Sequence, residues 1–412
     1  MENAGATVME QQSFRVYGYR WIVLLSFMFI VGMNQLLWIT FAPITGAAAQ
    51  FYHTTDLVIG LLSMSFMAVY IVLVIPSAWM IDTLGFRTAV GIGAILTAIF
   101  ALTRGLFATS FPLVLVSQIG IAMGQPLVVG AVTKVAATWF PVKERATASG
   151  LGTLAVYLGV LVGMLITPAL AVRYGMASML LIYGIVTVVS ALCFFIFAKG
   201  KPATPPCPAG HDVRVLMFDG LKQMLRQRDF LLLLAIFFVG LGMFNGVSTW
   251  IEDIVRPRGF SISQAGLLGG LMLIGGIIGA VILPILSDKA RRRKPYIILS
   301  LCGLIPGLAG MAFATSYWLL LISGFLFGFF LLSSGPIGFQ FGAELTHPAP
   351  EGTSNSLLLL MGQVSGLIFI FGMDALKSPA TGAMTGSLLA LLGLTVLCVL
   401  LATFIKERPL TC

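Results

Sequence analysis

The chain is 412 residues long, 58% hydrophobic and only 9% charged, with a formal net charge of +9. Soluble domains hold about 25% charged residues, so this chain has too few to keep its apolar surface in water. That balance excludes a cytosolic enzyme, a nucleic-acid binder and a secreted disulfide scaffold.

Apolar runs of about twenty residues, the length that crosses a hydrocarbon core as a helix, recur along the chain. Hydropathy predicts six spans at 21–46, 57–80, 88–108, 112–135, 147–172 and 177–198. Six more follow at 230–254, 265–287, 295–314, 317–342, 353–375 and 384–405. Between the sets lies the one long polar stretch, 199–229, which opens Lys201-Pro202-Ala203-Thr204-Pro205-Pro206 and then turns basic with Arg214, Lys222, Arg226 and Arg228. The expected organisation is an N-terminal six-helix half (1–198), a cytoplasmic linker (199–229) and a C-terminal half (230–412).

The basic residues orient this arrangement. With both termini on the cytoplasmic side, nineteen of the 24 Lys and Arg fall inside, while Arg104, Arg173, Arg256, Arg258 and Lys377 fall in outer loops. Basic residues collect on the cytoplasmic side of membrane proteins, so a multi-pass plasma-membrane protein is expected. The charge then serves topology and anionic lipid, and no nucleic-acid partner is expected. The five cysteines show no metal spacing, so no metal or other cofactor is expected either.

The chain repeats itself. Asp82, followed by Gly85 and Arg87, ends span two, and Asp288, followed by Arg291, ends span eight, 206 residues later. Glu144 after span four and Glu351 after span ten are 207 apart. The offsets equal half the 412-residue chain to within one residue, which predicts two pseudo-symmetric six-helix halves in parallel orientation. Asp82, Gly85, Arg87, Asp288, Arg291, Glu144 and Glu351 are the candidate conformational latch at the cytoplasmic helix ends.

Ionisable residues are scarce at mid-membrane. Glu252 and Asp253 fall at the outer end of span seven and Asp374 at the outer end of span eleven. Glu344, near the inner end of span ten, is the candidate proton relay. With no Arg or Lys at the centre of a span, an anionic solute has no evident counter-charge. Asn34 and Trp38 are four apart on span one and share a face. Trp38 and Asn245 are separated by the repeat offset, 207, so spans one and seven are expected to face each other across a cavity. Gln125 in span four and Gln363 in span eleven are amides whose burial demands a partner. Asn34, Trp38, Gln125, Asn245 and Gln363 are the candidate substrate-binding set, with the Trp face suited to an ammonium. No nucleophile, paired-carboxylate or nucleotide-loop motif appears, so there is no catalytic residue to name and an enzyme is not expected.

Twelve spans, a central loop and the tight acidic-then-basic loop resemble the major facilitator superfamily, whose loop pattern is Gly-x-x-x-Asp-Arg-x-Gly-Arg-Lys. Asp82, Gly85 and Arg87 match it, with Ala78 and Thr83 replacing the first Gly and Arg. Span five partly matches the drug-exporter signature (Gly150, Gly159, Gly163), with Met164 where that signature has Pro. Asn34, Trp38, Tyr70, Pro76, Trp79, Gln125, Trp139-Phe140, Glu144, Pro350-Glu351-Gly352-Thr353-Ser354 and Gln363 resemble the feline leukaemia virus subgroup C receptor-related transporters. That resemblance implies facilitated movement of choline or ethanolamine, with haem as an older proposed substrate. It also implies a pocket of a span-one Trp (Trp38), two Gln (Gln125, Gln363) and a span-seven Tyr, whose position here is Asn245.

The expectation is therefore an all-α membrane protein, a monomer. Two halves rock about a central site to move a small organic solute, either a choline-like cation or a small polar metabolite. Proton-driven efflux of a hydrophobic compound or haem is one alternative. A receptor or sensor that has lost transport is the other.

Overall fold

A computed structural model describes residues 16–202, 204, 224–346 and 351–407, with the backbone alone for 142, 143, 146 and 351–353. Among the described residues, helices are the regular secondary structure, joined by short turns and loops. Eleven helices are long and apolar enough to cross a bilayer. One of them, the 51 residues from Thr147 to Phe197, would be about 75 Å long if straight. A hydrocarbon core is about 30 Å thick, so this helix must turn back. It does so at Gly175, whose backbone (φ 79°, ψ 166°) is not helical. Spans five and six are its two arms, and the chain crosses twelve times.

The other spans run Arg20–Ile39, Asp56–Thr83, Phe86–Leu106 and Phe111–Val129 before that turn, and Arg228–Thr249, Ile262–Ala290, Lys294–Phe313, Tyr317–Thr346, Glu351–Ala375 and Thr385–Phe404 after it. Several predicted spans are broken rather than continuous. Span one stops at Ile39 and resumes through Ala42–Ile44 and Thr45–Phe51, and span four continues as Val132–Trp139; span seven ends at Thr249, short of the predicted 254, and the separate short helix Ile251–Val255 follows it. Proline sits in the first turn at Pro43, Pro112 and Pro295, where its missing N–H costs nothing. Span two is capped by Thr55 and span eight by a reciprocal Ser261–Gln264 box. The reversal between spans two and three is made by Gly85 (φ 79°, ψ 158°).

Small residues bring spans together. Gly159 of span five lies against Gly32 of span one, and Gly328 of span ten lies against Met272 of span eight, both too closely to admit a Cβ. Between the halves, Gly266 and Gly269 of span eight pack on Met164, the residue standing where a drug exporter carries Pro. Gly366 of span eleven packs on Met67 of span two. We call the end of the bundle bearing Tyr19, Lys199 and Glu407 the linker end, and the opposite one, bearing Asp56 and Arg256, the far end.

Candidate functional site

Span one is the place to start, because its break falls beside Trp38. Once the helix stops at Ile39, the carbonyls of its last turn lose their partners along the chain. Arg104 of span three supplies replacements. It is fully buried and donates to Leu37 O at 3.2 Å, to Gln118 Oε1 at 2.6 Å and to Thr40 Oγ1 at 3.4 Å. Gln118 Nε2 also donates to Leu37 O at 3.2 Å, and the guanidinium lies 5.6 Å from the Phe41 ring centre. Sequence reasoning had placed Arg104 among the outer-loop bases. Its position in the last turn of span three instead buries a cation against the negative end of span one.

Trp38 is 6% exposed, in the core shared by both halves. Asn34 is fully buried and its amide is spent inside the N-terminal half, donating to Thr97 Oγ1 (3.3 Å) and Ile121 O (3.4 Å). The spacing that put it on the Trp38 face thus gives way to hydrogen bonds with spans three and four. Asn245 of span seven donates to Gly362 O of span eleven at 3.1 Å, beside the half-buried Gln363. Those two predicted residues are brought to one helix pair.

Gln125 differs from the rest. Its side chain is nearly buried, Oε1 is shielded, and it has no hydrogen-bond partner among the described residues. Ser248 and Thr249, at the far end of span seven, also hold buried unpartnered hydroxyls. An apolar cavity of about 140 Å³ lies in the C-terminal half between spans seven, nine and ten. Phe237, Leu241, Phe244, Leu331 and Phe339 line it, and Tyr157 of span five reaches it from the other half.

The two ends carry charge differently. At the linker end Lys134 meets Asp82 (3.3 Å), Arg20 grips Glu144 with two bonds (3.0 and 3.3 Å), and Arg293 meets Asp288 and Glu344. Each of these pairs joins residues of a single half. Glu344 is held by Arg293 and by Gln340 Nε2, both at 3.2 Å, so the candidate relay sits in an ion pair beside exposed surface. Arg87 is exposed; Arg291 adopts a left-handed turn (φ 52°) after span eight. The Glu351 side chain and most of the basic linker lie outside the described residues.

At the far end the charges join the halves. Arg256 donates to Asp56 of span two at 2.5 Å, to Asp253 at 2.7 Å and to Glu252 at 3.2 Å. Lys377, past span eleven, reaches Asp56 at 2.7 Å and Asp253 at 2.6 Å. Glu252 also accepts from the Gly46 amide at 2.5 Å. Asp253 lies beyond the end of span seven, fully buried, and burial pushes its carboxyl up to about 7; burial also raises Glu252. An open hollow of about 600 Å³ stands outside, lined in part by Gln50, His53, Asp56 and Arg256. Sequence reasoning located Glu252 and Asp253 but missed their partners. One signal was available: Gly46 and Glu252 are 206 apart, the repeat offset, and pseudo-equivalent residues meet where the halves meet.

Twelve membrane crossings in two halves, joined at one end and enclosing neutral polar groups, describe a solute carrier. Residues 23–370 match the Major Facilitator Superfamily. The chain belongs to that family and is a transporter, with no enzymatic role. It is 32% identical over 384 residues to solute carrier family 49 member A3 of Danio rerio, covering 89% of this chain and 80% of that one. It is 29% identical to the human choline/ethanolamine transporter FLVCR2, covering 85% of this chain and 70% of that one. In fold it is similar to a bacterial homologue of the human lysosomal transporter Spinster, solved inward-facing and unoccupied (TM-score 0.73, 18% identity, 95% and 97% of the two chains). The nucleoside transporter NupG is similar too (TM-score 0.72, 12% identity, 93% and 100%).

Proposed function

We propose that this chain moves a small organic solute bearing a hydrogen-bond donor and a compact apolar or cationic group, with choline and ethanolamine first in line. The observation that carries the reading is Gln125. An amide without a protein partner inside a membrane bundle costs roughly 1–3 kcal/mol, and a solute hydroxyl or ammonium N–H removes that cost. Trp38 supplies a ring face for an ammonium, worth ~0.5–2 kcal/mol according to desolvation. Asn245 and Gln363, together on spans seven and eleven, set the opposite wall. No Tyr stands at the Asn245 position, so the aromatic contribution falls to Trp38 and to the Phe244 that precedes Asn245. The similarity to the choline/ethanolamine transporter FLVCR2 supports the substrate class.

The linker end is read as cytoplasmic from the distribution of basic residues. The halves then rock between this form, joined at the far end, and one joined at the linker end, where Asp82, Asp288 and the Glu144 and Glu351 regions approach. Movement down a gradient suffices, since Glu344 is held in an ion pair.

Proteoliposome uptake of labelled choline and ethanolamine tests this. Wild type should accumulate at least one of them, Gln125→Leu should reduce uptake roughly tenfold, and Trp38→Ala should weaken choline more than ethanolamine. Absence of uptake in wild type removes the substrate class; equal uptake in the variants removes the site.

A further inference from the structure

We propose that the far-end cluster is a proton-binding site: Asp253 holds a proton while the two halves are joined there and releases it to water when they part. The inference adds a ligand, the proton, to the two-ended opening proposed above, and its evidence is separate from Gln125 and Trp38.

Charge count comes first. Three carboxylates, Asp56, Glu252 and Asp253, share two cations, Arg256 and Lys377. One negative charge is left over in a place with little water, since Asp253 is fully buried and Glu252 is 3% exposed. A buried unpaired charge is costly, and a carboxylate relieves it by taking up a proton. Position then selects the carboxylate. Asp56 and Glu252 each have two donors, and Asp253 Oδ1 accepts from both cations, but Asp253 Oδ2 is buried with no partner. That oxygen is where the proton fits.

The surroundings are complete enough to name. Asp56 faces the group from span two, Glu252 and Arg256 from its own segment, and Lys377 with Asp374 from the end of span eleven. His53 stands at the hollow beside Asp56 and Arg256. Burial holds the Asp253 carboxyl up at about 7, with the negative Asp56 pushing the same way. Parting the halves removes Asp56 and admits water, and both changes return Asp253 towards the ordinary 3.8. The joined form binds the proton more tightly, so acid favours it. Between about pH 7 and 4 the ratio of joined to parted molecules should rise about tenfold per pH unit, and above about pH 8 it should level off.

Spin labels on Gln50→Cys and Ala380→Cys, exposed positions on opposite halves at the far end, read this ratio as short and long distances. The full chain would be used in lipid vesicles, its five native cysteines replaced by alanine, with no solute added. Wild type should show the short-distance share rising as pH falls from 8 to 5. Asp253→Asn should stay joined at every pH. Asp56→Asn should move the midpoint to lower pH, and His53→Asn should keep the wild-type slope. A flat wild-type profile, a slope retained in Asp253→Asn, an upward or missing shift in Asp56→Asn, or a slope lost in His53→Asn overturns the proposal. A single short distance at every pH overturns it as well. Because no solute enters the measurement, failure of choline uptake would leave this result standing, and the reverse holds too.

Discussion

The two ends of the bundle solve the same problem, how to place charge at a membrane surface, in opposite ways. At the linker end, cations and carboxylates pair within a half and stay close to water: the side chains of Asp82 and Asp288 are 64% and 65% exposed. At the far end, Arg256 and Lys377 of one half reach Asp56 of the other, and Asp253 is fully buried among them. Exposed pairs are worth little, whereas removing one partner of a buried pair leaves a stranded charge. For the proposed rocking of the halves, the energy that distinguishes one conformation from the other would be concentrated at the far end. At the linker end, each of these ion pairs lies within a single half, so none of them ties the halves together.

This difference can be broken from its strongest member downwards. Arg104→Ala should have the largest effect, because it strips Gln118 Oε1 of its donor, leaves Leu37 O to Gln118 Nε2 alone and opens a cavity. About 3 kcal/mol of stability should be lost, seen as a lower Tm in detergent, with Lys retaining only part of it. Arg256→Ala comes next. It leaves three carboxylates sharing Lys377 and should shift the population away from the joined far end by about 2 kcal/mol, allowing for the one-third exposure of Arg256. Distance measurements between the labelled halves would record that shift as roughly thirtyfold.

Arg20→Ala is the corresponding cut at the linker end. It removes a two-pronged grip on Glu144, yet Glu144 is 38% exposed. The loss should be no more than about 1 kcal/mol, with no change in far-end distances. Lys134→Ala, which breaks a pair between two partly exposed residues, should cost under about 0.5 kcal/mol in the same Tm measurement. If Lys134 or Arg20 moved the far-end distance as much as Arg256, the contrast between the ends would fail.

Much of the architecture was legible because apolar length and the half-chain offset are one-dimensional signals. Twelve crossings, two halves and the reversal at Gly85 all show in the residue order. What could not be read is contact across long separations. Asp56 and Arg256 are 200 residues apart and Asp56 and Lys377 are 321 apart. In sequence they look like ordinary loop charges. Arg104 misled for a related reason: it stands two residues from a helix end, where a base belongs in water, and only the fold brings Gln118 and the broken end of span one to it. Asn34 shows the limit of spacing arguments. Four residues place it on the Trp38 face, but the hydroxyl of Thr97 decides where its amide points.

The reversals at Gly85 and Gly175 share one more property. Both glycines adopt φ 79° with an extended ψ, 158° and 166°, and at both a Cβ would meet nothing within 4 Å. Nothing crowds these positions, yet that backbone region is essentially closed to any L-residue. The constraint is handedness and not room. A mutational survey would find small and large substituents there disfavoured alike, through the twist of the chain itself, while the surrounding helices register no clash.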